Sequence, residues 1–192
     1  MVTLSEREIH LGQVLREWAV AEEDRIAQAS PQLGQIVGRV ATSSSSTPQD
    51  VALAVYGAFI VRGQFFAHFV AQPTKWFEAS VPVSEIGALY LCRYFEAYEH
   101  LPERPNLRTI GELAQRDASF RLKDPFDPSR MKGRPALVSH SPAGPLCVLE
   151  GTHRLVAIHR LVKAGTPPIE SLNVIVGICA QAKDWHMWRP RP

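Results

Sequence analysis

Residues Glu150-Gly151-Thr152-His153-Arg154 put a carboxylate, a glycine, a hydroxyl, an imidazole and a guanidinium in succession, where an apolar strand pattern gives way to an apolar helix pattern. A helix start leaves backbone N–H groups without intrahelical partners and carries the positive end of the helix dipole, so it attracts anions. Gly151 lets backbone approach a ligand closely, Thr152 can cap the helix or bond a phosphate oxygen, and His153 and Arg154 add positive donors. Glu150 stands at the strand end, where a carboxylate can serve as a base or hold a metal. The same five residues can also open an ordinary capped helix.

The elements around this turn are well punctuated. Residues 136–140 and 146–150 read as two antiparallel strands joined by Ser141-Pro142-Ala143-Gly144-Pro145. Leu155, Val156, Ile158, Leu161 and Val162 line one face of the following helix, which Gly165 stops. A last strand is expected over 172–179, and an earlier one over 75–83, where Pro82 suggests that the strand's end is an edge. Upstream, the spacing predicts an amphipathic helix over 5–28, a weaker helical piece over 31–40, and a serine-rich loop at 43–46. A helix follows over 48–61, capped by Thr47-Pro48-Gln49-Asp50 and extending to Val70 at its longest. Helices are also expected over 84–98 and 109–116, with a surface loop over 117–132. The fold class is therefore α+β: a helical N-terminal region, residues 1–72, precedes a small mixed β-sheet with packed helices, residues 73–192.

The Glu-Gly-Thr-His-Arg turn, followed by an apolar helix, resembles the Asp/Glu-Gly-x-His-Arg turn of the ParB/sulfiredoxin-like superfamily. The resemblance runs over 136–188, from 75 at its widest, and leaves the first 70 residues unexplained. It implies a nucleotide-binding domain whose turn holds phosphates. The departures narrow it further. Sulfiredoxins carry a cysteine where Thr152 stands here, with Cys147 lying upstream, which disfavours sulfinic acid repair. Only 38 residues of the 192 follow Arg154, so the helix-turn-helix domain of ParB partition proteins is not expected. The pattern is most similar to the free-serine kinase branch, with its Asp-Gly-His-His-Arg turn. That similarity implies ATP or ADP, Mg²⁺, a small hydroxylated substrate, Gly151, Thr152, His153 and Arg154 on the phosphates, and Glu150 with His153 as catalytic candidates. On this reading Arg154→Ala weakens nucleotide binding by more than ~1 kcal/mol and leaves the fold intact. The rival is a noncatalytic nucleotide-binding module whose N-terminal helices recognise a protein partner.

Composition excludes several classes. Lys and Arg number 21 against 19 Asp and Glu, a net charge of +2 too small to drive nonspecific nucleic-acid binding. The longest nearly uncharged apolar run, 51–61, is about half the roughly 20 residues that a membrane span needs. Three widely spaced cysteines argue against a disulfide framework or a CxxC zinc site, and the N-terminus lacks a secretory pattern, so a cytoplasmic location is expected. Other polar residues have plainer readings. His140 can reach the same sheet end but reads better as exposed, and His159 as packed at the surface. Arg130, Lys132 and Arg134 read as a solvated loop sooner than as a phosphate clamp; Trp185, His186 and Trp188 read as sealing a core edge sooner than as stacking on a base. Arg62-Gly63-Gln64-Phe65-Phe66 is unusual beside an apolar helix and has no assigned role.

Overall fold

The computed structural model describes residues 3–42, 46–62, 73–92, 108–116 and 131–185. A six-stranded mixed sheet is sandwiched between two helical layers, an α+β architecture. In chain order the strands are β1 (Thr3–Ile9), β2 (Lys75–Pro82), β3 (Tyr90–Leu91), β4 (Ala136–Ser139), β5 (Cys147–Glu150) and β6 (Ser171–Ile178). Across the sheet they run β1-β2-β6-β4-β5-β3. The β6/β4 and β5/β3 pairs are parallel and the others antiparallel.

The helices are α1 (Leu11–Ala21), α2 (Glu23–Ala29), α3 (Pro31–Thr42), α4 (Pro48–Arg62), α5 (Ile110–Arg116) and α6 (Thr152–Lys163). Period-two alternation sends Ala136, Val138, Cys147 and Ile175 to one face, where they meet Val14, Trp18 and Ile26 of the N-terminal helices. Leu137, Val148, Val174 and Val176 face the opposite way and pack on Leu155 and Ile158 of α6 and Ile110 of α5. Because helices cover both faces, β4 is buried along its whole length and shows no polar alternation. Among the described residues no helix is long and apolar enough to cross a membrane.

Local chemistry sets the ends of these elements. Thr47 Oγ1 accepts from the Asp50 N–H at 3.1 Å while Asp50 accepts from the Thr47 N–H at 3.3 Å, a reciprocal cap that starts α4. Thr109 and Glu112 repeat the device at α5. At the end of α6, Gly165 takes φ +76°, its N–H donates to Val162 O, and the Thr166 N–H donates to Leu161 O. This pair of bonds satisfies the last carbonyls and stops the helix where Gly165 predicts.

Two expectations are corrected. Residues 3–9 form a strand, and the helix expected over 5–28 is two helices broken at Glu22. The pairing of β1 with β2 slips between Leu4 and Glu8, four steps on one strand against two on the other, which hides the strand alternation from the sequence. Residues 83–88 form a 3₁₀ segment leading into β3 rather than an α-helix, and 93–98 lie outside the described residues. Val83, Ile86 and Leu89, all buried, recur every third residue, which is the 3₁₀ period. β2 itself is interior, between β1 and β6; at its end Pro82 pairs with Ser171 of β6, while the pairing with β1 reaches Ser80 among the described residues. The extension of α4 beyond Arg62, most of the 117–132 loop and most of the serine run fall outside the described residues.

His159 also differs from expectation. It is buried, with its ring close enough to Gly87 that a Cβ there would lie 2.4 Å from Cε1. Burial, and secondarily the charge of Lys163, hold its pKa below the ordinary 6.5. The unfolded chain therefore takes up the proton first as pH falls, so this contribution to stability is complete above about pH 6.5 and is lost below it. Urea unfolding should show a lower midpoint at pH 5.5 than at pH 7.5, with the difference reduced in His159→Gln. An equal pH dependence in the variant would contradict this assignment.

Candidate functional site

The strand-to-helix turn forms as the sequence suggests. Gly151 is the N-cap of α6 with φ +95°, a left-handed conformation that favours glycine. A Cβ there would also stand 2.9 Å from Pro135 Cβ, so space excludes a side chain as well. No side chain caps α6, and Leu155 N–H makes the first bond back to Gly151 O at 3.0 Å. Thr152 is not the cap; it is the first helical residue and is buried. The leading N–H groups of a twelve-residue helix thus begin directly at the turn.

Arg154 is committed to the protein itself. Its Nη1 donates to the carbonyls of Lys132 and Gly133, each at 2.6 Å, and its Nη2 donates to Glu150. Glu150 and Arg154 form an ion pair that is mostly buried on both sides. Burial pushes the Glu150 carboxyl above its ordinary value; the Arg154 charge opposes that, Glu22 reinforces it, and Arg62 and the Gly151 N–H oppose it further. His153 is exposed at the surface of the turn, yet desolvation, then the charges of Arg25 and Arg62, hold it below 6.5 against the pull of Glu22. It is neutral at pH 7.

The residues that the sequence reading missed come from the N-terminal helices. Glu22, at the break between α1 and α2, is only 3% exposed and accepts from Arg62 Nε at 2.7 Å. Arg25 stands 3.7 Å from the other Glu22 oxygen. In the sequence, Glu22 and Arg25 are among the polar residues of the helix expected over 5–28, and Arg62 lies 40 residues from Glu22. The unusual Arg62 supplied the one signal. Residues 63–66 lie outside the described residues.

The remaining candidates sort away from the turn. Lys132 pairs with Glu23 at 3.0 Å and Asp24 at 3.5 Å, and Arg134 with Glu17 at 2.6 Å and Glu78 at 2.7 Å, so both tie the segment before β4 to neighbouring elements. Arg130, His186 and Trp188 are not among the described residues, whereas Trp185 is buried in the core cluster under α1–α4. His140 does not reach the Glu150 end. Ala136 pairs with Glu150, so the far end of β4 lies roughly 13 Å away. An open groove of about 520 Å³, lined by Val83, Ser84, Val162, Pro167, Pro168 and Glu170, sits at the opposite end of α6.

Three features at the turn suit a phosphorylated ligand: the leading N–H groups of α6, which no side chain caps, the imidazole of His153, and the cations of Arg25 and Arg62 within electrostatic reach. Among the described residues no group of three or more His, Cys, Asp or Glu side chains gathers as a metal site. Comparison with protein-family models, curated proteins and solved structures finds no match.

Proposed function

We propose that the chain binds a nucleotide, ATP or ADP, with its phosphates at the start of α6, and transfers phosphate to a small hydroxylated molecule. The observation that carries this reading is the turn itself: a helix start with no side-chain cap, opened by a left-handed glycine and bordered by His153, Arg25 and Arg62. Backbone N–H groups of Thr152 and His153 would hold phosphate oxygens, with His153 adding a donor from its ring. Mg²⁺, where present, would arrive bridging the phosphates and neutralise charge developing on them. Glu150 is the candidate base, and burial raises its proton affinity above that of an ordinary carboxyl. Buried free thiols at Cys92, Cys147 and Cys179 suit a reducing, cytoplasmic setting.

A second reading is a noncatalytic nucleotide-binding module. Two observations favour it. The Glu150 carboxylate is engaged by Arg154, and Tyr56 and Ile60, one turn apart on α4, expose 59% and 49% of their surface, as a partner-recognising helix would.

A panel of nucleotides with Mg²⁺, scored for both binding and hydrolysis, separates the two. Phosphate binding should also tighten several-fold from pH 7.5 to pH 5.5, because protonating His153 adds a positive charge beside the anion. Calorimetry at both pH values, repeated on His153→Gln, checks this: the variant should show a flatter profile. An unchanged profile removes His153 from the site.

A further inference from the structure

We infer that the Glu22–Arg62 ion pair is a positioning element of this site, carrying the influence of the N-terminal helices onto the turn that opens α6. The inference rests on the phosphate reading for what occupies the site, while the coupling of charges exists without any ligand.

Three parts of the fold converge there. The joint between α1 and α2 brings Glu22 and Arg25, the last residue of α4 is Arg62, and the β5–α6 turn brings Glu150, His153 and Arg154. The segment before β4 locks them together. Arg154 grips the Lys132 and Gly133 carbonyls, Lys132 Nζ reaches Glu23 beside Glu22, and Gly133 packs so closely on Glu17 O that a Cβ would lie 2.4 Å from it. These contacts tie the turn to the α1–α2 joint.

Burial makes the pair consequential. Glu22 is 3% exposed and Arg62 19%, so their charges are poorly screened by solvent. The charged groups that act on His153 are Arg25, Arg62 and Glu22, while Glu150 and Arg154 stand on the same turn. Glu22 favours the imidazolium while Arg25 and Arg62 oppose it, and on Glu150 the signs of Glu22 and Arg62 act in the corresponding directions. Glu22 offsets part of the charge that Arg62 and Arg25 place on the turn. Loss of Glu22 leaves both cations without their carboxylate, and loss of Arg62 leaves Glu22 facing Arg25 alone, so the two changes alter the field at the turn in opposite directions.

The test is an NMR titration of the His153 ring in the ligand-free full chain, assigned by comparison with His153→Gln. Glu22→Gln should move the midpoint to lower pH and Arg62→Gln to higher pH, whereas Glu22→Asp, which keeps the charge, should titrate as the wild type does. A purely structural role would not give shifts of opposite sign. Unmoved midpoints, or shifts in the same direction, overturn the inference. Should Glu22→Gln fail to fold, Arg62→Gln decides alone: a higher midpoint supports the coupling and an unchanged one overturns it. In parallel, ATP with Mg²⁺ is titrated into the wild type. No ATP binding with His153 shifts present sinks the ligand reading alone; ATP binding with an unmoved His153 sinks the coupling alone.

Discussion

Arg154→Ala should cost the fold about 3–5 kcal/mol, because it strands the buried Glu150 charge and leaves the Lys132 and Gly133 carbonyls without their donor. For a chain of this size that is a fall in Tm on the order of 10 °C. The sequence reading expects a phosphate-turn arginine whose removal leaves the fold intact; the hydrogen bonds argue for a larger cost, because the guanidinium is a tie between β5, α6 and the segment before β4. Thermal melts check the effect, and a Glu150→Ala/Arg154→Ala pair should lose less than the sum of the two single changes, because it removes both charges. A Tm unchanged in Arg154→Ala would contradict the tie. Weakened nucleotide binding in this variant must be read after correcting for the unfolded fraction.

If Glu150 is the general base of the proposed phosphotransferase, Glu150→Gln should lower turnover by about 10² to 10⁴-fold with little change in nucleotide affinity, since it removes basicity and preserves shape; a noncatalytic module has no turnover to lose. The side chain keeps an oxygen that can accept from Arg154, so a smaller loss of stability is expected than for Arg154→Ala. Steady-state kinetics, calorimetry and melting on the same protein separate the roles. Turnover retained in Glu150→Gln excludes Glu150 as the essential base. Stability and binding falling together would mark the carboxylate as a structural ligand of Arg154.

The parts of the fold that were legible in the sequence are those with local punctuation. Thr47 and Asp50 cap α4, Gly151 turns β5 into α6, Gly165 stops α6, and each signal lies within a few residues of its effect. The hairpin of β4 and β5 and the strand β6 followed from apolar runs between turns. β1 was not legible because its slipped register erases alternation, and because Leu11, Val14, Leu15 and Trp18, spaced three or four apart, start the helical pattern of α1 two residues after Ile9. The 3₁₀ segment was hidden because Val83, Ile86 and Leu89 fit a helix almost as well as a three-residue repeat.

The site was legible only in its contiguous half. The turn residues stand together in the chain, but Glu22 and Arg62 meet through the packing of α1 and α4 on one sheet face, and a long-range ion pair leaves no spacing to read. The role of Arg154 was likewise invisible, since its acceptors are backbone carbonyls and carry no residue type. His159 was misjudged because its burial depends on Gly87, more than 70 residues upstream in the sequence.

The central claim is that phosphates bind at the start of α6, and backbone amide NMR tests it most directly. When ATP with Mg²⁺ is titrated into the ¹⁵N-labelled protein, the amides of Gly151, Thr152, His153 and Arg154 should shift first and furthest, saturating with ligand. No shift at saturating ATP, or shifts confined to residues remote from this turn, would contradict it.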